Sequence, residues 1–309
     1  MSNSLLPKWL RRLETFFLSE RSHHNGERWV IYFAIVGFLF HLLLIILNQQ
    51  GMLDLSDPSK LLTSPLSAVY TPFSIILLYE VYLLIFYLPK STTDYINKQY
   101  EIITLIVIRR LFKDLANVEL SADWFKIKSD LEFTYDLAAA ALLFFLIFVF
   151  NRLNDKRLEY RPVNKAPSQR SLRFVRTKTL IALLLAPTFL IMASYSFYVW
   201  LRDHVFEISA VVEGLKDVNS VFFDEFFTVL ILVDILLLLA SFLYTNRFYT
   251  IMRNSGFILS TILLRLSFTV DSLISVLLSV TAVVIGIVFL YLHNLYERVR
   301  YTKEANAQK

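Results

Sequence analysis

Six apolar runs, each about as long as the hydrocarbon layer of a bilayer is thick, constrain this chain more than any other feature. They are Trp29–Leu47, Ala68–Leu88, Phe133–Phe150, Thr179–Trp200, Phe226–Tyr244 and Ser272–Leu292. A backbone N–H or C=O in lipid finds no water, so such a run has to satisfy its own hydrogen bonds, and at roughly 20 residues it does so as a helix. Composition agrees: 56% of the residues are hydrophobic and the mean hydropathy is +0.54, well beyond a soluble globular chain. The sequence therefore predicts an all-α integral membrane protein. There is no cysteine, which excludes disulfides, thiolate metal sites and cysteine nucleophiles. Together with loops too short for a soluble domain, it points to a bacterial inner membrane.

Two further runs, Tyr95–Phe112 and Ser255–Thr269, are shorter or interrupted by arginine, and the topology turns on whether they cross. Lys and Arg flanking membrane helices collect on the cytoplasmic side. If both runs cross, the inner segments hold 22 Lys and Arg and the outer segments 6. If neither crosses, the most basic segment, from Arg152 to Lys178, falls outside, against that rule. The sequence thus predicts eight transmembrane helices with both termini cytoplasmic.

The crossings fall into two sets of four. The expected organisation is a cytoplasmic amphipathic segment (1–28), a first four-helix membrane unit (29–150), a basic cytoplasmic linker (151–178), a second four-helix unit (179–293) and a cytoplasmic tail (294–309). In the first segment Leu6, Trp9, Leu10, Leu13 and Phe17 fall on one helical face, opposite Lys8, Arg11, Arg12 and Thr15, a pattern suited to a helix lying in the membrane interface. The halves share landmarks. Glu80 and Asp234 each interrupt an apolar run, and an arginine follows 30 residues on at Arg110 and 31 residues on at Arg265. Thr-x-Asp triplets recur at Asp136 and Asp271. An even number of crossings per copy makes the two repeats parallel.

The charges inside these runs are costly. Each costs roughly 2.5–3.5 kcal/mol at the bilayer centre on insertion scales, so Glu80, Arg109, Arg110, Asp234 and Arg265 must pair, face the interior or reach an interface. Asp234 and Arg265 each lie about 15 Å from the inner end of their runs at 1.5 Å per residue. Helical side chains tilt toward the N-terminus, which leans acid and arginine toward one another in antiparallel neighbours. Pairs Glu80–Arg110 and Asp234–Arg265 follow, either as an ion pathway or gate, or as devices that fix which helices meet. His41, mid-run and ionisable near neutral pH, is a candidate proton relay. Asp136 and Asp271, placed at the outer starts of their helices, read as caps.

Catalytic and metal signatures are absent: no H-E-x-x-H, G-x-S-x-G or P-loop motif occurs, so no enzyme, cofactor or metal is expected. Only six glycines occur, which argues against small-residue helix packing and glycine-rich filters. Pro72 and Pro187 are expected to kink their helices. The basic linker suits anionic lipid headgroups or an acidic cytoplasmic protein partner, and a homo-oligomer is open. It lacks the fold or interleaved aromatics of a nucleic-acid site. Two functions follow from these residues: an ion channel or ion-coupled transporter, or a non-conducting sensor or scaffold subunit that recruits a partner through the linker.

Overall fold

A computed structural model of the chain describes residues 8–52, 65–115, 128–159, 169–204, 208–245, 247–267, 270 and 272–307. Among these the structure is almost wholly helical and contains no strand. In chain order the helices are α1 (Lys8–Phe17), α2 (Glu20–Gln49), α3 (Tyr70–Tyr87, entered through a 3₁₀ turn at Pro65–Val69), α4 (Thr92–Leu115), α5 (Lys128–Glu159), α6 (Gln169–His204), α7 (Ile208–Tyr244), α8 (Phe248–Leu266) and α9 (Ser272–Ala307).

Among the described residues six segments are long and apolar enough to cross a membrane: Glu20–Gln49, Ser67–Tyr87, Asp130–Lys156, Leu172–Tyr195, Glu225–Tyr244 and Leu273–Arg300. They coincide with the six runs read from the sequence. The described parts of the other two runs are also helical, in α4 and α8, but neither helix is in this set. The long segments leave large apolar side chains uncovered. Leu243, Phe144 and Leu184 are 80%, 73% and 68% exposed, a surface that lipid satisfies and water does not.

Several helices outrun the apolar stretches that define them. Ser19 caps α2, its hydroxyl accepting from the Ser22 N–H at 3.2 Å, so the helix begins nine residues before Trp29. The ends of the basic linker are helical too, Asn151 to Glu159 in α5 and Gln169 to Lys178 in α6. The expected outer loop after the fifth run is helical from Ile208 and continuous with α7. Pro72 lies in the first turn of α3, where no intrahelical N–H bond is lost. It therefore starts the helix and does not kink it. Pro187 is inside α6.

Contacts group the chain into two compact units. One gathers Met1–Phe86, Ile108–Phe133 and Leu180–Val229. Here Ile45 and Ala68 are fully buried, with Phe38, Leu42 and Leu44 against them. The Tyr82 hydroxyl donates to the Phe17 carbonyl at 2.6 Å, fastening the end of α1 to α3. Tyr79 donates to the His23 carbonyl at 2.9 Å, so the 2.6 Å contact with His23 Nδ1 has the ring as donor.

The other unit gathers Tyr87–Val107, Thr134–Thr179 and Leu230–Lys309. Its tightest packing joins α8 and α9. A Cβ built on Gly256 would come within 2.1 Å of Phe289 Cγ, and one on Gly286 within 1.8 Å of the Tyr100 hydroxyl. Gly256-xxx-Ser260 and Ala282-xxx-Gly286 are small-residue steps of the kind that lets membrane helices approach. Counting glycines alone hides them, because serine and alanine supply the partner positions.

Candidate functional site

The second unit reverses the usual arrangement of a surface helix. On α8 the buried residues are Arg253, Asn254, Gly256, Phe257, Ser260, Thr261, Leu264 and Arg265, whereas Met252, Leu259 and Leu266 are exposed. The spacing is that of one helical face, and that buried face is polar. From Arg253 to Arg265 it extends about 18 Å at 1.5 Å per residue.

Asp234 of α7 sits at one end of this stripe, 2% exposed. Its carboxylate accepts three hydrogen bonds: from the Tyr95 hydroxyl to Oδ1 at 2.9 Å, from Gln99 Nε2 to Oδ2 at 3.3 Å, and from Arg265 Nη2 to Oδ2 at 3.2 Å. Arg265 is itself buried, which makes this an ion pair shielded from solvent. Two donors come from α4, one turn apart, and the third from α8.

The middle of the stripe is a hydrogen-bond chain. Ser260 donates its hydroxyl proton to the Ala282 carbonyl at 2.6 Å. With that proton used, the 2.8 Å bond to Tyr100 must run from the tyrosine to Ser260 Oγ. Beyond Arg265, Ser279 donates to Ser267 at 2.9 Å.

The far end is a second charged cluster. Arg253 donates through Nε and Nη2 to Asn254 Oδ1 at 3.3 and 2.9 Å, and Nη1 lies 3.2 Å from His293 Nε2. Arginine only donates, so in this geometry Nε2 accepts and the imidazole proton is on Nδ1, 3.2 Å from the Tyr249 carbonyl. Nε2 also faces Glu297 Oε1 at 3.4 Å, an alternative open to the ring when Nε2 carries a proton.

Between the two charged ends lies a cavity of about 20 Å³ lined by Thr92, Tyr95, Lys178, Asp234, Asn254 and Phe257 among others. That is space for about one water molecule. Lys178, 2% exposed, donates to the Lys90 carbonyl at 2.6 Å.

Of the residues singled out in the sequence, Asp234 and Arg265 are brought together. Glu80, Arg109 and Arg110 are half-buried, the acid on α3 and the arginines on α4. His41 is buried on α2, its Nδ1 2.6 Å from the Thr71 hydroxyl. Asp136 is buried but lies eight residues inside α5, which begins at Lys128. It is therefore not at a helix start, where a carboxylate could cap free N–H groups. Asp271 lies outside the described residues. Sequence reasoning missed Tyr95, Gln99, Lys178 and Arg253. A charge count by segment places Lys178 and Arg253 at segment ends, yet both are buried, and the signal available is their position within a turn or two of an apolar run. Comparison with protein-family models, curated proteins and solved structures finds no match.

Proposed function

We propose that this is a multi-pass membrane protein that conducts an ion or couples transport to one, with the polar face of α8 and the Asp234–Arg265 pair as its pathway or gate. The observation that carries the reading is the burial of Asp234, Arg265, Lys178 and Arg253 within one unit of a chain built from apolar helices. Ionisable groups in such a setting are costly and mark pathways and relays.

The topology we propose with it is eight crossings as two parallel four-helix repeats, both termini cytoplasmic, in a bacterial inner membrane. The lengths of α4 and α8 support this. Their 24 and 19 residues rise about 36 and 28 Å, close to the hydrocarbon thickness. In α8 the charges face inward and apolar side chains outward. Glu80, Arg109 and Arg110 are the corresponding elements of the first repeat. Protonating Asp234 would leave Arg265 without its counter-charge and so favour rearrangement, which is how such a pair gates.

Reconstitution tests the reading. Liposomes containing the protein should show ion flux, strongly reduced by Asp234→Asn and more weakly by Glu80→Gln. Silent vesicles holding folded protein would refute it.

A second reading has its own support. Asp234 accepts three donors, and a fully satisfied network also serves to specify which helices pack. On this reading the protein is a non-conducting sensor or scaffold. Exposed cations at the ends of the basic linker, Arg152, Lys156, Arg173 and Arg176, would then hold anionic lipid or a cytoplasmic partner. Co-purification of a partner that is lost when these four are neutralised would favour it.

A further inference from the structure

Resting on the transport reading, we infer that the ion is the proton, and that Lys178 and Asp234 exchange it through a single water in the cavity they share. The argument starts from what the cavity cannot hold. A metal cation needs several oxygen ligands to replace its hydration shell. Here both carboxylate oxygens already accept hydrogen bonds from Tyr95, Gln99 and Arg265. A lysine lines the same wall, and its charge repels a cation. Among the described residues no three His, Asp or Glu side chains gather to hold a metal ion. With room for about one water, the cavity also excludes a hydrated ion.

The same features suit a proton. A carboxylate and an amine, both buried, face one water-sized space. In the exchange an ammonium N–H bond of Lys178 breaks and its proton passes to the water. The water releases one of its own protons, forming an O–H bond on Asp234. Ammonium and carboxylate become amine and carboxylic acid, and the water is regenerated. The neutral amine keeps an N–H for the Lys90 carbonyl. Arg265 does not release a proton, so it stays as the fixed charge whose pairing with Asp234 reports the transfer.

The groups facing the exchange can be named. Asp234 bonds Tyr95 from α4 and Arg265 from α8, and shares the cavity wall with Lys178 from α6. Lys178 senses Arg253 from α8, Asp94 from α4 and Asp234 from α7. Asp94 is exposed and accepts a hydrogen bond from Asn154.

The test uses the full chain in liposomes with an internal pH dye and a potassium diffusion potential, and measures sodium, potassium and chloride flux in parallel. The expected result is potential-driven acidification, reduced tenfold or more by Asp234→Asn and by Lys178→Arg. Arginine keeps the charge and a donor for the Lys90 carbonyl but holds its proton, so a purely structural lysine would tolerate the change. Acidification by Lys178→Arg at the wild-type rate would overturn the inference, as would flux of another ion without protons. Silence toward every ion would instead remove the transport reading on which this rests. If Lys178→Arg fails to fold, infrared titration decides: the wild type minus Asp234→Asn difference spectrum should show one carboxylic acid band that grows on acidification, and its absence overturns the exchange.

Discussion

Glu80 and Asp234 each interrupt an apolar helix, yet the two acids are treated differently. Asp234 is fully enclosed and accepts three hydrogen bonds, one of them from a buried arginine. Glu80 is half-buried, as are Arg109 and Arg110. A half-buried side chain does not depend on protein contacts alone, whereas an enclosed charge must be matched entirely by protein. The contrast teaches that an acid in an apolar run does not by itself make a site. The site arises where two other helices, α4 and α8, bring three donors to it.

The largest effect expected is on the stability gap between the two acids. Asp234→Ala leaves Arg265 enclosed without its counter-charge and should destabilise the protein by about 3–5 kcal/mol, whereas Glu80→Ala should cost about 1 kcal/mol or less. Thermal unfolding in detergent measures both, and equal losses would break the comparison.

Removing both charges sharpens it. Asp234→Leu with Arg265→Met should recover most of the stability lost by Asp234→Ala, since buried ion pairs are often replaceable by apolar pairs of similar volume. It should nevertheless abolish flux. A double variant that still conducts would leave the pair with packing alone.

Close packing of the second unit gives the next effect. Gly256→Ala drives a methyl into the fixed base of the Phe289 ring and should cost about 1–3 kcal/mol. Gly286→Ala meets the end of the Tyr100 side chain, which can swing away by giving up its bond to Ser260. Its cost should be smaller, read in the same unfolding assay.

The smallest effect concerns a polar contact in the first unit. Thr71→Val deletes one hydrogen-bond partner of His41 and should cost about 1 kcal/mol, with ion flux unchanged. A large change in flux would make His41 part of the pathway.

Much of the fold was legible because length and hydropathy dictate it. The six apolar runs are recovered as six long helices, since lipid leaves backbone no alternative. Depth along each run was enough to bring Asp234 level with Arg265. The rest of the site was not legible for identifiable reasons. Tyr95 and Gln99 are ordinary residues whose role comes from the face they present. Lys178 and Arg253 looked like interface charges because rotation about the helix axis, which decides burial, is invisible to a charge count. Asp136 was misplaced because the helix begins at Lys128, about a turn and a half before the apolar stretch that announces it.

The account depends most on α4 and α8 crossing the membrane, because without them Tyr95, Gln99 and Arg265 would not lie within the bilayer. The native chain has no cysteine, so single cysteines can be placed cleanly and labelled from either side with an impermeant thiol reagent. Ser91→Cys and Lys126→Cys bracket α4, and Arg247→Cys and Asp271→Cys bracket α8. The two members of each pair should label from opposite faces, with Ser91→Cys and Arg247→Cys on the cytoplasmic one. Labelling of both members of a pair from the same face would contradict the eight-helix scheme and the buried pathway built on it.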